Sequence, residues 1–322
     1  MKESLQYLTK TKTKKMALDI KLASPSVVGA YDGELALPYI HASVISAPTI
    51  ANKKVTLLEG VRYRAQIPVM TTSNLIMNGA CDFDDTASTM LLDVSLEVKD
   101  QMVNLQLCKG QFRTWWQGSA YNTNNSVPQD YADAILLYVA KSVQADVEHT
   151  IWNGEVGGAT GYTAFDGFKH LMASSTQALT NSIATADGVL DGLQEIITAM
   201  PSGIVGDFEN TKIYVNPVTI SAYNLAVGQT GDGYNSAVSG ASQNQFVGYE
   251  LVASAGIPSG EAMVGQVGNL FVGVGSADSL ELAQAIDMTP LDGSDNYRIT
   301  MRFAVGCAIG VVGDAEYFTN PT

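Results

Sequence analysis

The chain has 322 residues, 46% of them hydrophobic and 16% charged, with a formal net charge of −14. That composition excludes a disordered chain, which would combine low hydrophobicity with a high density of charge, and the length allows roughly two domains or one elaborated domain. The overall sign excludes a general nucleic-acid binder, and no apolar run approaches the ~20 residues that span a bilayer.

The first residues, MKESLQYLTK, lack the apolar core of a secretory signal, so a soluble intracellular product is expected. Cys81, Cys108 and Cys307 are far apart with no CxxC, which argues against a zinc site or a disulfide framework and for reduced core residues. Charge is unevenly distributed. Residues 1–64 hold ten Lys and Arg, among them Lys10, Lys12, Lys14, Lys15, Arg62 and Arg64, against five acids. From Asp187 onward there are fifteen acids and only Lys212, Arg298 and Arg302. A basic end on an acidic body fits either a solvated tail or an arm that docks on an acidic neighbour or touches nucleic acid weakly.

In chain order, residues 1 to about 55 carry apolar residues without a sustained period and are interrupted by Pro25, Gly29, Gly33, Pro38 and Pro48. Such a segment cannot satisfy its own backbone or bury its own side chains, so it is expected to lie extended along another surface. Residues 61–98 read as a long β-hairpin, with Asn78-Gly79 as the turn because both central residues of a type I′ turn need positive φ. That turn pairs Val61, Tyr63, Ala65 and Ile67 with Leu96, Val94, Leu92 and Met90, giving one apolar face. It also sets Arg64 opposite Asp93, with Glu97 diagonal to Arg62. An isolated two-stranded ribbon is marginal in water, so it must lie on something.

A strand at 103–108 follows. Ser126-Val127-Pro128-Gln129 then resembles a capping box, and Ile135, Val139, Val143, Val147 and Ile151 recur every four residues. This predicts one helix over 127–153, about 40 Å long at 1.5 Å per residue, closed by a left-handed cap at Asn153-Gly154. Near its end stand Asp146, Glu148 and His149. The acid and histidine at i and i+3 could share a hydrogen bond, but no nucleophile accompanies them, so the end reads as structural. A helix at 187–200, a strand at 212–216, a helix at 216–227, a Gly- and Ser-rich loop at 228–245 and short strands at 249–254, 261–266, 269–275, 297–312 and 316–318 complete an α+β chain.

The usual signatures of chemistry are incomplete. Gly273-Val274-Gly275 lacks the third glycine and the following helix of a dinucleotide site. Asp82, Asp84 and Asp85 resemble a calcium loop, but Ala87 stands where glycine is needed. His41, His149 and His170 are isolated, and neither GxSxG nor HExxH occurs. No catalytic residue, metal site or cofactor is implied.

The order of elements, with the Glu148–Gly154 ending of the long helix, Lys212–Pro217, Cys81-Asp82-Phe83 and Trp115-Trp116, resembles the major capsid protein of tailed double-stranded DNA bacteriophages, the Hong Kong 97-type fold. The resemblance implies an N-terminal arm at 1–57, an extended E-loop hairpin at 58–99 and a peripheral domain at 100–179 with a spine helix at 127–153. An axial domain at 180–290 and return strands at 291–322 would complete it. It further implies self-assembly into hexamers and pentamers, an icosahedral shell around packaged DNA, and no enzyme activity. Lys10, Lys12, Lys14, Lys15, Arg62, Arg64, Asp82, Asp84, Asp85 and Asp93 are then expected at contacts between subunits. Partners would be further copies of the chain, a separate scaffolding protein, since too little sequence precedes the hairpin for a fused one, a portal and decoration proteins. The place of action would be the virion capsid, assembled in the host bacterial cytoplasm with no membrane contact. Weak non-specific contact with DNA suits an acidic container, because a basic inner wall would hinder movement of the genome. An encapsulin-type nanocompartment, another phage structural protein such as a tail or decoration subunit, and a hydrolase using unpaired acids are the competing readings.

Overall fold

The computed structural model describes residues 27–32, 47–73, 76, 88–108, 129–158, 162–229, 244–275 and 282–320. In chain order these form β1 (Val27–Asp32), α1 (Pro48–Ala51), β2 (Thr56–Val61), β3 (Arg64–Ser73), β4 (Ser88–Glu97), β5 (Lys99–Cys108) and α2 (Gln129–Asn153). Next come α3 (Phe168–Leu171), β6 (Thr176–Ala178), α4 (Val189–Ala199), β7 (Thr211–Val215), α5 (Pro217–Gln229), β8 (Gln245–Phe246) and β9 (Tyr249–Ala253). The chain closes with β10 (Ala262–Gln266), β11 (Leu270–Gly275), β12 (Leu282–Asp287), α6 (Thr289–Asp292), β13 (Asn296–Ile309) and β14 (Ala315–Thr319).

Two six-stranded sheets and a two-stranded ribbon result. The first sheet is organised by β13, whose fourteen residues pair with β5 along one edge and with β12 and β11, end to end, along the other. β1 adds outside β12, and β2 runs parallel to β11. The second sheet has the order β6-β14-β10-β7-β9-β8.

The second sheet is a shared wall. Because alternate side chains of a strand point to opposite faces, one run of apolar residues serves two cores. In β7, Tyr214 faces the core built on α2 and the first sheet, while Ile213 and Val215 face α4 and α5. In β10, Met263 divides from Ala262 and Val264 in the same way, and in β14 Tyr317 divides from Phe318.

The predicted four-residue spacing holds: Val139, Val143, Val147 and Ile151 are all buried on α2 against the first sheet. The predicted start at 127 and its capping box lie outside the described residues, as does nearly all of the Gly-rich loop. The C-terminal end differs from the expectation. Gly154 does not have positive φ, so it supplies no left-handed cap. A Cβ there would collide with the carbonyls of Phe165 and Thr150, and Gly154 is needed for that close approach of two backbones.

Two further expectations change. The stretch before residue 57 is not wholly without partners in its own chain, since β1 pairs with β12, and Ala47, Ile50 and Val55 are buried in the main core. Cys108 is exposed at the end of β5 rather than buried. Cys307 does pack against the main core, where loss of solvent pushes its thiol pKa up.

Candidate assembly surface

The ribbon of β3 and β4 is ten residues long on each strand. Its register differs from the one that an Asn78-Gly79 turn would set: Arg64 pairs with Glu97, Ala65 with Leu96, Ile67 with Val94 and Pro68 with Asp93. The ladder is thus centred between Ala80 and Cys81. A shift by an even number of positions keeps every side chain on its predicted face, so the apolar face survives while the partners change. Arg64 Nε lies 3.8 Å from Glu97 Oε1, both about half exposed, and Asp93 stands opposite Pro68 instead of Arg64. An ion pair that open contributes about 0–1 kcal/mol.

The ribbon changes character along its length. At its root Leu96 is 0% exposed and joins Val61, Val98, Ala304 and Ala308 in a small core of its own, with Ala65, Ile67 and Val94 packed on it. Glycines permit this crossing. A Cβ on Gly306 would strike the Glu97 carbonyl, and one on Gly273 would strike the Leu96 side chain. Gly273 therefore serves packing, which accounts for the GVG sequence without a nucleotide. Further out, Met70 and Leu91 are paired on one face at 65% and 67% exposure. Met90 and Leu92 stand exposed on the other face, with Met90 at 58%. The outer ribbon is thus greasy on both faces, which one supporting surface could not cover.

The C-terminal end of α2 is the opposite case. Glu148 is buried and accepts hydrogen bonds from Thr49 N at 3.2 Å, Thr49 Oγ1 at 2.5 Å and Trp152 Nε1 at 3.3 Å. Trp152 also donates to Thr49 Oγ1 at 3.0 Å and packs between Phe168 and Tyr214. Lys54 donates to the Ala253 carbonyl, and its pKa is lowered by desolvation, opposed by the charges of Glu148 and Glu250. His149 stacks on Tyr162 with ring centroids 5.5 Å apart. Glu148 and His149 fasten elements together; Glu148 ties the segment before β2 to the helix across 99 residues of sequence, whereas Asp146 is exposed. Sequence reasoning named Glu148 but not its tie to Thr49, because that partner lies so far away.

Of the residues expected at subunit contacts, the structure places Arg64 and Asp93 on the ribbon and Arg62 just before it. Lys10, Lys12, Lys14, Lys15, Asp82, Asp84 and Asp85 lie outside the described residues. The residues the expectation omitted are Met70, Met90, Leu91 and Leu92, whose signal was apolar side chains on both faces of one ribbon. Among the described residues no group of three or more His, Cys, Asp or Glu could hold a metal ion, and no helix is long and apolar enough to cross a membrane.

No protein-family model matches the sequence, and no curated protein matches it. Solved structures do. A chain of the satellite phage P4 procapsid that includes the size determination (Sid) protein superposes over 100% of this chain and 98% of its own length, with a TM-score of 0.60 at 10% identity. The capsid of a native GTA particle matches over 86% and 91% with a TM-score of 0.56 at 10% identity. The capsid of Myoviridae phage XM1 matches over 85% and 92% with a TM-score of 0.55 at 11% identity. Identity this low speaks for the backbone alone, and the backbone speaks clearly: the chain has the mixed helix-and-sheet fold of phage capsid proteins.

Proposed function

We propose that this chain is the major capsid subunit of a tailed double-stranded DNA bacteriophage, assembling into hexamers and pentamers of an icosahedral shell around the packaged genome. The observation that carries the reading is the outer β3–β4 ribbon, apolar on both faces and without cover among the described residues of its own chain. Copies of the same subunit supply such cover from two sides, and repeated heterologous contacts that close generate a shell. The likeness to phage capsid structures over nearly the whole chain supports the same reading.

In this reading residues 1–57 form the N-terminal arm, 58–99 the E-loop, and 100–179 the peripheral domain with α2 as its spine. Residues 180–290 form the axial domain, and 291–322 return to the peripheral domain. Arg62, Arg64, Asp82, Asp84, Asp85, Asp93 and the lysines at 10, 12, 14 and 15 sit at or near subunit contacts. The protein's role is structural. Scaffolding, portal and decoration proteins are its further partners, and assembly takes place in the host bacterial cytoplasm.

Electron microscopy of the purified, overexpressed chain tests this reading: closed shells of uniform size are expected, and a dispersed monomer at high concentration would refute it. Shells recovered with enzyme cargo in place of DNA during infection would favour the nanocompartment.

A further inference from the structure

Two limbs of chain lie between α2 and α3. Residues 154–158 leave the helix, residues 162–167 return, and the limbs are bound to each other. Glu155 N donates to the Tyr162 carbonyl at 3.0 Å, Gly167 N to the Gly154 carbonyl at 2.8 Å, and Val156 N to Asp166 Oδ1 at 2.8 Å. The returning limb supplies Tyr162 and Phe165 to one wall of a groove of about 520 Å³, across which stand Met102 of β5 and Val143 and Thr150 of α2.

The chain has three histidines, and both that lie among the described residues act on these limbs. His149, on α2, stacks on Tyr162 with ring centroids 5.5 Å apart. His170, on α3, stands between two partly exposed carboxylates, one from each limb: its Nδ1 is 3.9 Å from Glu155 Oε1, and its Nε2 is 3.9 Å from Asp166 Oδ1. Those distances exceed hydrogen-bond reach, so a neutral imidazole gains little from either acid. An imidazolium attracts both, because charge acts over that separation.

The charges of the neighbouring elements leave this pairing intact. On α3 itself, Lys169 is bound to both carboxylate oxygens of Glu261 at 2.8 Å. α2 brings Asp146, Glu148 and His149 to this end, and Glu148 is buried against Thr49 and Trp152. β13 packs Ile299, Met301 and Phe303 into the same core as Phe168 of α3, and strand alternation sets Arg298 and Arg302 on its opposite face.

Histidine is the side chain that gains or loses its charge between about pH 5 and 8. We propose that His170 is a proton-operated clasp: carrying a proton, it ties Glu155 to Asp166, joins the two limbs and firms the wall of the groove. The tie is present in mild acid and lost as pH rises toward about 8, because only the imidazolium makes it. The clasp works within one subunit, whether or not shells form.

Amide hydrogen exchange on the full chain tests the clasp, read by mass spectrometry over residues 154–158 and 162–168 at about pH 5.5 and about pH 8, with each rate divided by the intrinsic rate at that pH. Two partly exposed ion pairs should make opening of the limbs about fivefold rarer in acid. His170→Gln should open equally at both pH values, at the wild-type alkaline level. Glu155→Gln leaves the histidine in place with one acid fewer, and should reduce the difference to about twofold. His149→Phe keeps a ring on Tyr162 that takes no proton, and should retain the full difference. Equal opening of the wild-type limbs at both pH values, a difference that survives in His170→Gln, or one that is lost with His149→Phe would overturn the clasp.

Discussion

The C-terminal turns of α2 and the outer half of the β3–β4 ribbon carry comparable apolar patterning and reach opposite ends. In α2, Val143, Val147, Ile151 and Trp152 are buried, and even the carboxylate of Glu148 has its donors inside the chain. In the ribbon, Met70, Met90, Leu91 and Leu92 stay in solvent. A helix can turn one stripe to its own sheet; the outer ribbon has no such neighbour among the described residues. Apolar periodicity predicts burial, and where the described residues of the chain do not supply it, the proposed assembly would.

Substitutions can break or sharpen this contrast. The largest effect on the monomer is expected from Trp152→Ala, a cavity at the centre of the main core, which should cost about 3–5 kcal/mol in thermal or denaturant unfolding. Gly306→Ala drives a Cβ into the Glu97 carbonyl at the ribbon's root and should cost about 1–3 kcal/mol by the same measurement.

A pH titration probes the body alone. Burial raises the pKa of Tyr214 and Tyr317 above the ordinary 10.0, with Glu261 adding to the effect at Tyr317. A raised pKa means the folded state holds the proton more tightly, so this stabilisation is complete below pH 10 and is lost as pH rises beyond it. Tyr317→Phe removes the 2.6 Å bond to Glu261, costs about 1 kcal/mol at neutral pH, and should flatten the alkaline decline in melting temperature.

Reversing either Arg64 or Glu97 should change stability by less than about 1 kcal/mol, and reversing both should restore it; rescue by Asp93→Arg instead would contradict the register. The smallest effect on folding is the most telling. Met70→Lys with Leu91→Asp should shift monomer stability by no more than about 0.5 kcal/mol, yet abolish shells in the electron microscope.

What the sequence disclosed depended on how local each signal was. The spacing of Val139, Val143, Val147 and Ile151 named both the helix and its buried side, because both follow from positions four apart. Ribbon parity was readable, but the register was not. Asn78-Gly79 is a strong turn signal in isolation, but the observed pairs, from Arg64 with Glu97 to Ser73 with Ser88, are offset from the register that turn would set. Gly154 looked like a cap because a glycine's sequence context does not distinguish positive φ from a close backbone approach. β1 and β12 went unrecognised, each six residues long and stabilised by the other across some 250 positions. At the candidate surface the charged residues drew attention, whereas the exposed side chains that mark it are ordinary Met and Leu.

The packing at Gly273 and Gly306 has a mechanical corollary. With Gly306 against the Glu97 carbonyl and Gly273 against the Leu96 side chain, the ribbon is held at its root like a cantilever. Its ten residues span about 34 Å, so a tilt of about 5° at the fulcrum moves the far end of the described strands by about 3 Å. Two residues without side chains thus set the leverage by which a small rotation at the root becomes an atom-sized displacement at the far end of the strands.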